Sequence, residues 1–274
     1  MKILVPSDFS NSSNNAALYA AKFARKINAE IILFHVIHFE HPPMVQVFES
    51  IEHTIEEISV SDASRDCVLL VDELKSKVKG LQISFTVIPG FPIEDVIENY
   101  ATANSIDLII IGTKGANGLQ KVFFGSKAVA IINKSSIPVI TVPEHSSFNN
   151  VELIVYASDM HKTRSEIQKI IPLAKLLDAS IDILHVLPSN SKKKIDTASV
   201  KNNLIKKYKY QKISFHIAHN GDIIEGINKF IVDVKADILA MYTHEIGFFE
   251  NFFKTSFSRE EAFHSLIPLL TLKK

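Results

Sequence analysis

Cysteine is almost absent from this chain: Cys67 is the one cysteine among 274 residues. A single thiol excludes an intramolecular disulfide and a zinc site made of several cysteines. Net charge is absent too, because 30 basic residues balance 30 acidic residues. The composition therefore gives no indication of nucleic acid or of an anionic membrane as a partner.

Long hydrophobic runs are also missing, so no segment approaches the length that crosses a membrane. Near the amino terminus, Pro6 and Asp8 stand where a signal peptide needs an uninterrupted apolar run. What the chain does have is 46% hydrophobic residues, spread evenly enough to build a core. We expect a globular cytoplasmic protein with neither membrane nor nucleic acid as a partner.

The sequence contains a diverged internal repeat, which decides the domain organisation. Asp8 in "ILVPSDFS" aligns with Asp159 in "IVYASDMH", and His35 aligns with His185. Five blocks recur in one order: 2–10 with 153–161, 29–37 with 179–187, 83–98 with 213–228, 105–115 with 235–245, and 135–143 with 265–273. We therefore predict two domains, at 1–145 and 146–274.

Each copy alternates short β-branched runs with longer helical segments. The runs at 3–6 and 31–37 are continuously apolar, which is typical of strands covered on both faces. Between them, Ala16, Ala20 and Phe23 recur at helical spacing, and serines from Ser10 onward offer N-caps. This alternation predicts an α/β fold with two tandem doubly wound Rossmann-like domains, each a parallel sheet of about five strands with helices on both faces.

Glycines cluster in "IGTKGANGLQKVFFGSKA", at the predicted carboxyl end of a strand, where doubly wound folds bind their ligands. Gly112, Gly115 and Gly125 would let backbone N–H groups approach an anion, and the helix opening at Ser126 would add its positive end. Tight turns would explain the same glycines. The stretch is neither a P-loop nor a dinucleotide fingerprint, and spacing alone leaves both interpretations open.

The spacing Gly112-x2-Gly115-x9-Gly125-Ser126 matches the nucleotide-binding signature of the universal stress protein family. The opening "ILVPSDFS", "FHV" at 34–36 and the closing "IPVITVP" also match that family. The first copy resembles the family from end to end, and the second copy resembles it in its framework. The resemblance implies sheets with the strand order 3-2-1-4-5 and the binding of ATP, alone or with Mg²⁺.

By position, the resemblance implies a nucleotide site in the first copy. Asp8 would accept a hydrogen bond from a ribose hydroxyl, and the backbone of Val36 would meet the edge of the adenine. The alternative for Asp8 is the N-cap of the following helix. The implied residues are Pro6, Ser7, Asp8 and Val36 around ribose and base, and Gly112, Lys114, Gly115, Gly125, Ser126 and Lys127 around the phosphates.

The second copy departs from the signature, because Gly112, Gly115 and Gly125 align with Tyr242, Glu245 and Thr255. A tyrosine would fill space that the phosphates need, and a glutamate would repel them. We predict that the second copy does not bind ATP in this way, which leaves Asp159 as a relic or a helix cap. The resemblance further implies that the two domains pack as an intramolecular pseudo-dimer, with a homodimer of the chain as an alternative.

Other candidate sites are weaker. The histidines His35, His38, His41 and His53 with Glu40, and the pair His216 and His219, fit no named zinc motif, so we predict no metal site. Cys67 lies in "SRDCVLLVDELKSKV", where Val68, Leu69, Val71 and Leu74 suggest an amphipathic helix and a packing role for the thiol. The aromatic run 247–253 is interpreted as core and the lysine-rich segment 192–212 as a solvated face, with partner docking as the alternative for each.

Three functions remain open at this stage. The first is an ATP-binding universal stress protein that acts as a nucleotide-dependent regulator in the stress response, through an unidentified protein partner. The second is a slow ATPase or phosphotransferase using the same site. Phosphoryl transfer needs metal ligands and a residue that orients the nucleophile, and Asp8 is the one acid placed near the phosphates, so no catalytic residue is assigned. The third is a protein-interaction module whose glycines only make turns.

Overall fold

The computed structural model describes residues 1–38, 49–113, 125–160, 163–192, 195–243 and 267–273, apart from the side chains of 49–56 and 243. The chain divides into two compact units, Met1–Ser147 (unit one) and Phe148–Lys274 (unit two). The sequence places a boundary between 145 and 146, inside the polar segment 144–150.

Unit one is a parallel five-stranded sheet with the order β3-β2-β1-β4-β5. Its strands are β1 (Lys2–Pro6), β2 (Glu30–Ile37), β3 (Gln82–Pro89), β4 (Leu108–Gly112) and β5 (Val139–Val142). Its described helices are α1 (Asn11–Ile27), α2 (Glu49–Lys77), α3 (Ile93–Ala103) and α4 (Ser126–Lys134). Helix α1 contacts α2 and α3 contacts α4, as expected when the chain winds along one face and then the other.

Unit two has the same order, β8-β7-β6-β9-β10, and its pairs are again parallel. Its strands are β6 (Leu153–Ala157), β7 (Ser180–Leu187), β8 (Ile213–His219), β9 (Ile238–Thr243) and β10 (Leu269–Lys273). Its described helices are α5 (Thr163–Leu177), α6 (Thr197–Tyr208) and α7 (Ile223–Asp233). The predicted fold class, with two doubly wound domains of order 3-2-1-4-5, is confirmed.

The strand registers of the two units agree with the alignment of the five sequence blocks. Ile3 of β1 lies opposite Leu108 of β4, and the aligned Ile154 of β6 lies opposite Ile238 of β9. A side chain repeats with the backbone: the Asp107 carboxylate accepts from the N–H of Lys2 at 2.7 Å. The aligned Asp237 accepts from the N–H of Leu153 at 2.9 Å.

Helix α1 begins and packs as its sequence predicts. The Ser10 side chain is the N-cap and accepts from the N–H of Ser13 at 3.2 Å, satisfying one of the free donors of the first turn. Ala16, Ala20 and Phe23 are buried against the sheet. No helix in the part of the chain that the structure describes is long and apolar enough to cross a membrane.

Helix α2 buries a stripe that differs in part from the predicted one. Cys67, Leu70, Val71 and Leu74 are buried, which is the i, i+3, i+4, i+7 spacing of one helix face. Val68 and Leu69, which the sequence interpretation placed near the core, are 43% and 63% exposed. They fall outside the stripe, because at 100° per residue Val68 and Leu69 lie about 100° and 200° around the helix from Cys67.

The buried Cys67 thiol should be unreactive in the folded protein. Burial, with a smaller contribution from Asp66, raises its pKa from 9.0 to about 11. A raised thiol pKa stabilises the fold fully below pH 9, and that contribution is lost as the pH rises through about 11. At pH 8 we expect a disulfide reagent to label native Cys67 at least about 100-fold more slowly than urea-unfolded chain, since only the thiolate reacts. Equal rates in the two states would contradict a packing role.

In both units the loop after the third strand contacts the helix that follows it, and one partner in this contact is a glycine. The glycine is in the loop in unit one and in the helix in unit two. A Cβ added to Gly90, just after β3, would lie 2.6 Å from Cγ2 of Val96 in α3. The aligned positions in unit two are Asn220 and Gly226. A Cβ added to Gly226 would lie 2.7 Å from Cγ1 of Val186 and 3.1 Å from Cβ of Asn220. The loop and the helix therefore approach so closely that only one of the two positions carries a side chain.

This contact predicts compensation between two substitutions. Gly90→Asn should lower the free energy of unfolding by about 1–3 kcal/mol, because the new side chain overlaps Val96. Combining it with Val96→Gly recreates the arrangement of unit two and should be less harmful than the sum of the single changes, with a coupling of about 1–2 kcal/mol. Urea unfolding of the four proteins of the cycle measures this coupling, and simple additivity would refute the compensation.

Candidate functional site

The carboxyl end of β1 turns sharply before α1, and side chains hold the turn. Phe9 has a φ of 59°, in the left-handed region. The Ser7 hydroxyl accepts from the N–H of Phe9 at 3.1 Å, and the Asp8 carboxylate accepts from the N–H of Ser10 at 3.2 Å. Pro6 is the last residue of β1. Proline has no N–H to donate, and at the end of the strand this does not interrupt the hydrogen bonds of the sheet. The turn leaves Asp8 partly exposed at the end of the sheet.

The alternative role for Asp8 as N-cap is wrong. The cap of α1 is Ser10, two residues later, and Asp8 lies outside the helix. Its carboxylate still orders the turn through Ser10, but helix capping does not explain the acid at this position.

His35, which the sequence interpretation weighed as a metal ligand, joins the ends of β1 and β2. Its Nδ1 lies 2.8 Å from the carbonyl oxygen of Ser7, and because a carbonyl only accepts, Nδ1 carries the hydrogen. The imidazole also stacks on Phe9, with ring centroids 4.7 Å apart. Among the residues that the structure describes, no group of three or more metal-binding side chains converges. Sequence patterning missed this structural role, since nothing in the sequence pairs His35 with a backbone carbonyl.

Val36 lies where β2 extends beyond its neighbour. The pairing of β1 with β2 ends at Pro6 and Phe34, and the N–H of Ser7 donates to the carbonyl of Phe34 at 2.9 Å. Backbone groups of alternate strand residues point to the same side, so the N–H and C=O of Val36 also face the β1 side. There the neighbouring chain has already left the sheet for the turn at Asp8. One donor and one acceptor therefore point toward this edge.

Gly112, the last residue of β4, is required by packing. A Cβ at this position would lie 2.7 Å from the carbonyl oxygen and 2.8 Å from Oγ of Ser12, in the first turn of α1. Such distances are shorter than any normal contact, so a side chain here would force β4 and α1 apart. The glycine brings the end of β4 close to the turn at Asp8, at the point where the order of strands reverses.

Helix α4 begins at the same end of the sheet. Its N-cap is Gly125, which provides no side-chain acceptor, and its first turn contains no acid. The φ of Gly125 is −63°, a value that any residue adopts. The Gly125 N–H donates to the carbonyl of Thr113 at 2.5 Å, so the two ends of segment 114–124 are joined. Ser126 and Lys127 follow with exposed side chains, whereas Lys114 and Gly115 lie outside the described residues.

Unit two repeats the turn but carries a large side chain where unit one has Gly112. Ser158 accepts from the N–H of Met160 at 3.1 Å, and Nδ1 of His185 lies 2.8 Å from the Ser158 carbonyl. At the position of Gly112, however, stands the buried Tyr242, whose hydroxyl donates to the backbone oxygen of Glu166 at 2.6 Å. Burial raises the pKa of the Tyr242 phenol, which keeps it a neutral donor. A protein side chain therefore fills the space between β9 and α5, and Glu245 and Thr255 lie outside the described residues.

These features define a class of protein. An open parallel sheet of order 3-2-1-4-5, with a polar turn and a helix N-terminus at the reversal of strand order, defines a doubly wound α/β protein. Proteins of this class bind their ligands at the carboxyl ends of the strands. The sequence model of the Universal stress protein family matches residues 1–143, which is more than half of the chain. The chain belongs to the universal stress protein family.

Individual relatives agree with this assignment. Universal stress protein MJ0531 of Methanocaldococcus jannaschii is 28% identical over 144 residues, 52% of this chain and 81% of its own length. Universal stress protein MJ0577 of the same organism is 26% identical over 161 residues, covering 53% and 96%. A crystal structure of a universal stress protein from Archaeoglobus fulgidus covers 99% of this chain and 98% of its own, with a TM-score of 0.69 and 18% identity. The last comparison extends the similarity of fold over both units.

Proposed function

We propose that unit one binds ATP at the carboxyl ends of β1, β2 and β4, and that the protein acts as a nucleotide-dependent regulator in the stress response. The observation that carries this proposal is the convergence, at the reversal of strand order, of three features with separate chemistry. They are the Asp8 carboxylate, the outward-facing backbone of Val36 and the uncapped N-terminus of α4.

Ribose and base fit the β1 and β2 side of the crevice. A carboxylate beyond the helix cap suits a ribose hydroxyl, because a hydrogen bond from a neutral hydroxyl to an ionised acceptor is stronger than one between neutral groups. The N–H and C=O of Val36 offer one donor and one acceptor to the edge of a base. Adenine presents a ring nitrogen beside an amino group, which matches that pair.

The triphosphate fits the β4 and α4 side. The N-terminal N–H groups of a helix favour an anion, and here no acidic side chain of the first turn competes with it. Ser126 adds a hydroxyl donor, and Lys127 adds a positive charge. Lys114 and Gly115 complete the signature from the segment between Thr113 and Gly125, and their roles follow from the sequence resemblance.

Unit two is proposed to bind no ATP in this manner. Tyr242 fills the position of Gly112, and Glu245 brings a negative charge to the position of Gly115. The division of labour is therefore a nucleotide site in 1–145 and a degenerate copy in 146–274. A regulator needs only two conformations with different affinities for ATP, because a ligand shifts an equilibrium by its differential affinity and no more. A partner protein would then recognise one of the two states.

The first test of the nucleotide proposal needs no variant. Protein purified without added nucleotide is denatured, and the released compounds are separated by chromatography. We expect an adenine nucleotide among them, or a rise in the melting temperature when millimolar Mg-ATP is added to stripped protein. No released nucleotide together with no thermal shift would contradict the proposal. Steady release of phosphate from ATP, absent in a Gly115→Glu variant, would favour the slow ATPase instead.

A further inference from the structure

Two aromatic rings stand just beyond the ends of β2 and β3. His38 follows the last residue of β2, and Phe91 precedes Pro92, the N-cap of α3. The rings stack on each other with centroids 4.4 Å apart and an interplanar angle of 30°. The N–H of Gly90 donates to the carbonyl of Ile37 at 3.0 Å, which holds the two chain segments side by side.

The rings lie on a definite face of the sheet. Phe34 of β2 contacts the ring of Tyr100 in α3, with centroids 4.5 Å apart, so the even-numbered positions of β2 face α3. Val36 shares that face, because side chains alternate along a strand. His38 is the first residue after β2, and its ring meets Phe91 from the loop that leads into α3.

Packing does not account for these rings. Phe91 is 70% exposed, the largest exposure among the large hydrophobic residues of the described part of the chain, and His38 is exposed as well. Single exposed apolar residues are common in proteins, so exposure alone assigns no role. The independent observation comes from unit two, in which Pro188 and Gly221 occupy the aligned positions.

The contrast between the units is selective. His35 and His185 make the same hydrogen bond, and Ser7 and Ser158 hold the same turn, so the shared framework is kept. The unit with the glycine signature has the aromatic pair, whereas the unit that carries Tyr242 at the position of Gly112 lacks it. The pair therefore varies with the features of the proposed nucleotide site and not with the fold.

We propose that the His38–Phe91 pair is the surface on which the base of the nucleotide stacks, with Phe91 presenting its exposed face. This proposal rests on the nucleotide site proposed above and assigns a residue to it. Stacking accepts any base, because each has a π-face. Phe91 would therefore contribute affinity for the base in general, and the backbone of Val36 would distinguish adenine from other bases.

The chain has no tryptophan, which makes a direct test available. A Phe91→Trp variant carries a single indole, and a base stacked on it should quench the fluorescence as Mg-ATP is added. Phe85→Trp is the matched control, because Phe85 is an exposed residue in the middle of β3. Tripolyphosphate, which lacks a base, should leave the fluorescence of Phe91→Trp unchanged. Saturable quenching at position 91 alone supports the proposal, and equal responses at both positions contradict it.

Calorimetry gives the second test. Phe91→Ala should raise the Kd for Mg-ATP and for Mg-GTP by a similar factor, about tenfold, since one stacked ring is lost. The affinity for tripolyphosphate should not change, and Phe91→Tyr should restore the binding of ATP. A wild-type protein that fails to bind Mg-ATP would contradict the proposed function. A wild-type protein that binds, with the affinity of Phe91→Ala unchanged and the fluorescence of Phe91→Trp unquenched, would contradict the stacking role alone.

Discussion

Replacing Gly115 with glutamate should raise the Kd of unit one for Mg-ATP by about 100-fold or more. Two unit charges about 4 Å apart near a protein surface interact by about 4 kcal/mol, and solvent screening leaves enough of this repulsion for a factor of that size. The substitution inserts the residue that unit two carries at the aligned position, Glu245. Isothermal titration calorimetry with stripped protein measures the change.

The matched control separates charge from bulk. Gly115→Ala adds a methyl group without charge, so it tests whether the backbone alone must approach the phosphates. We expect Gly115→Ala to lie between wild type and Gly115→Glu. High salt should weaken the effect of the glutamate but not that of the alanine, because salt screens only the charge. If Gly115→Glu bound Mg-ATP as tightly as wild type, the triphosphate would have to lie elsewhere.

Asp8→Ala should raise the Kd for Mg-ATP by roughly 10- to 100-fold, the range expected when a hydrogen bond to a charged group is lost. The substitution leaves the N-cap of α1 in place, because the helix is capped by Ser10 and not by Asp8. The turn loses the bond from the N–H of Ser10, so a loss of stability should accompany the loss of affinity.

The control for Asp8 lies in the other half of the chain. Asp159 occupies the aligned turn, where Met160 has a φ of 70° beside the 59° of Phe9. Asp159→Ala should therefore leave the Kd for Mg-ATP unchanged. With 2′,3′-dideoxy-ATP as ligand, wild type and Asp8→Ala should bind equally, because the hydroxyls that Asp8 would accept from are missing. A large preference for ATP retained by Asp8→Ala would refute the contact with ribose.

The two units explain why the glycine signature needed a structure to be interpreted. Reasoning from the sequence treats the missing glycines of the second copy as lost room for phosphate. At Gly112 the immediate reason for glycine is different, since a Cβ would collide with the backbone of Ser12. In unit two the aligned Tyr242 makes a hydrogen bond to the backbone oxygen of Glu166 in α5. Gly125 has a φ that any residue can adopt, so the backbone conformation does not require a glycine at this position.

Three points that the sequence left open or placed wrongly share one cause. Asp8 and Ser10 are both good N-caps, and the choice between them depends on where the chain leaves the strand, which a composition rule does not contain. Val68 and Leu69 are apolar like Val71, and only the rotation of α2 against the sheet leaves them exposed. His35 has the residue type of a metal ligand, yet it bonds a carbonyl oxygen that follows a different strand.

The sequence by itself determined the fold class, the order of elements and the division into two similar halves. It could do so because buried strands are continuous apolar runs, helices have their own period, and the five aligned blocks carry the registers of the strands with them. The tertiary structure alone decided which side chains meet at the ends of the strands. There, Gly112 approaches Ser12, His35 bonds Ser7, and His38 stacks on Phe91. These contacts join residues distant in the chain across distances of a few ångströms, and no local pattern in the sequence records such distances.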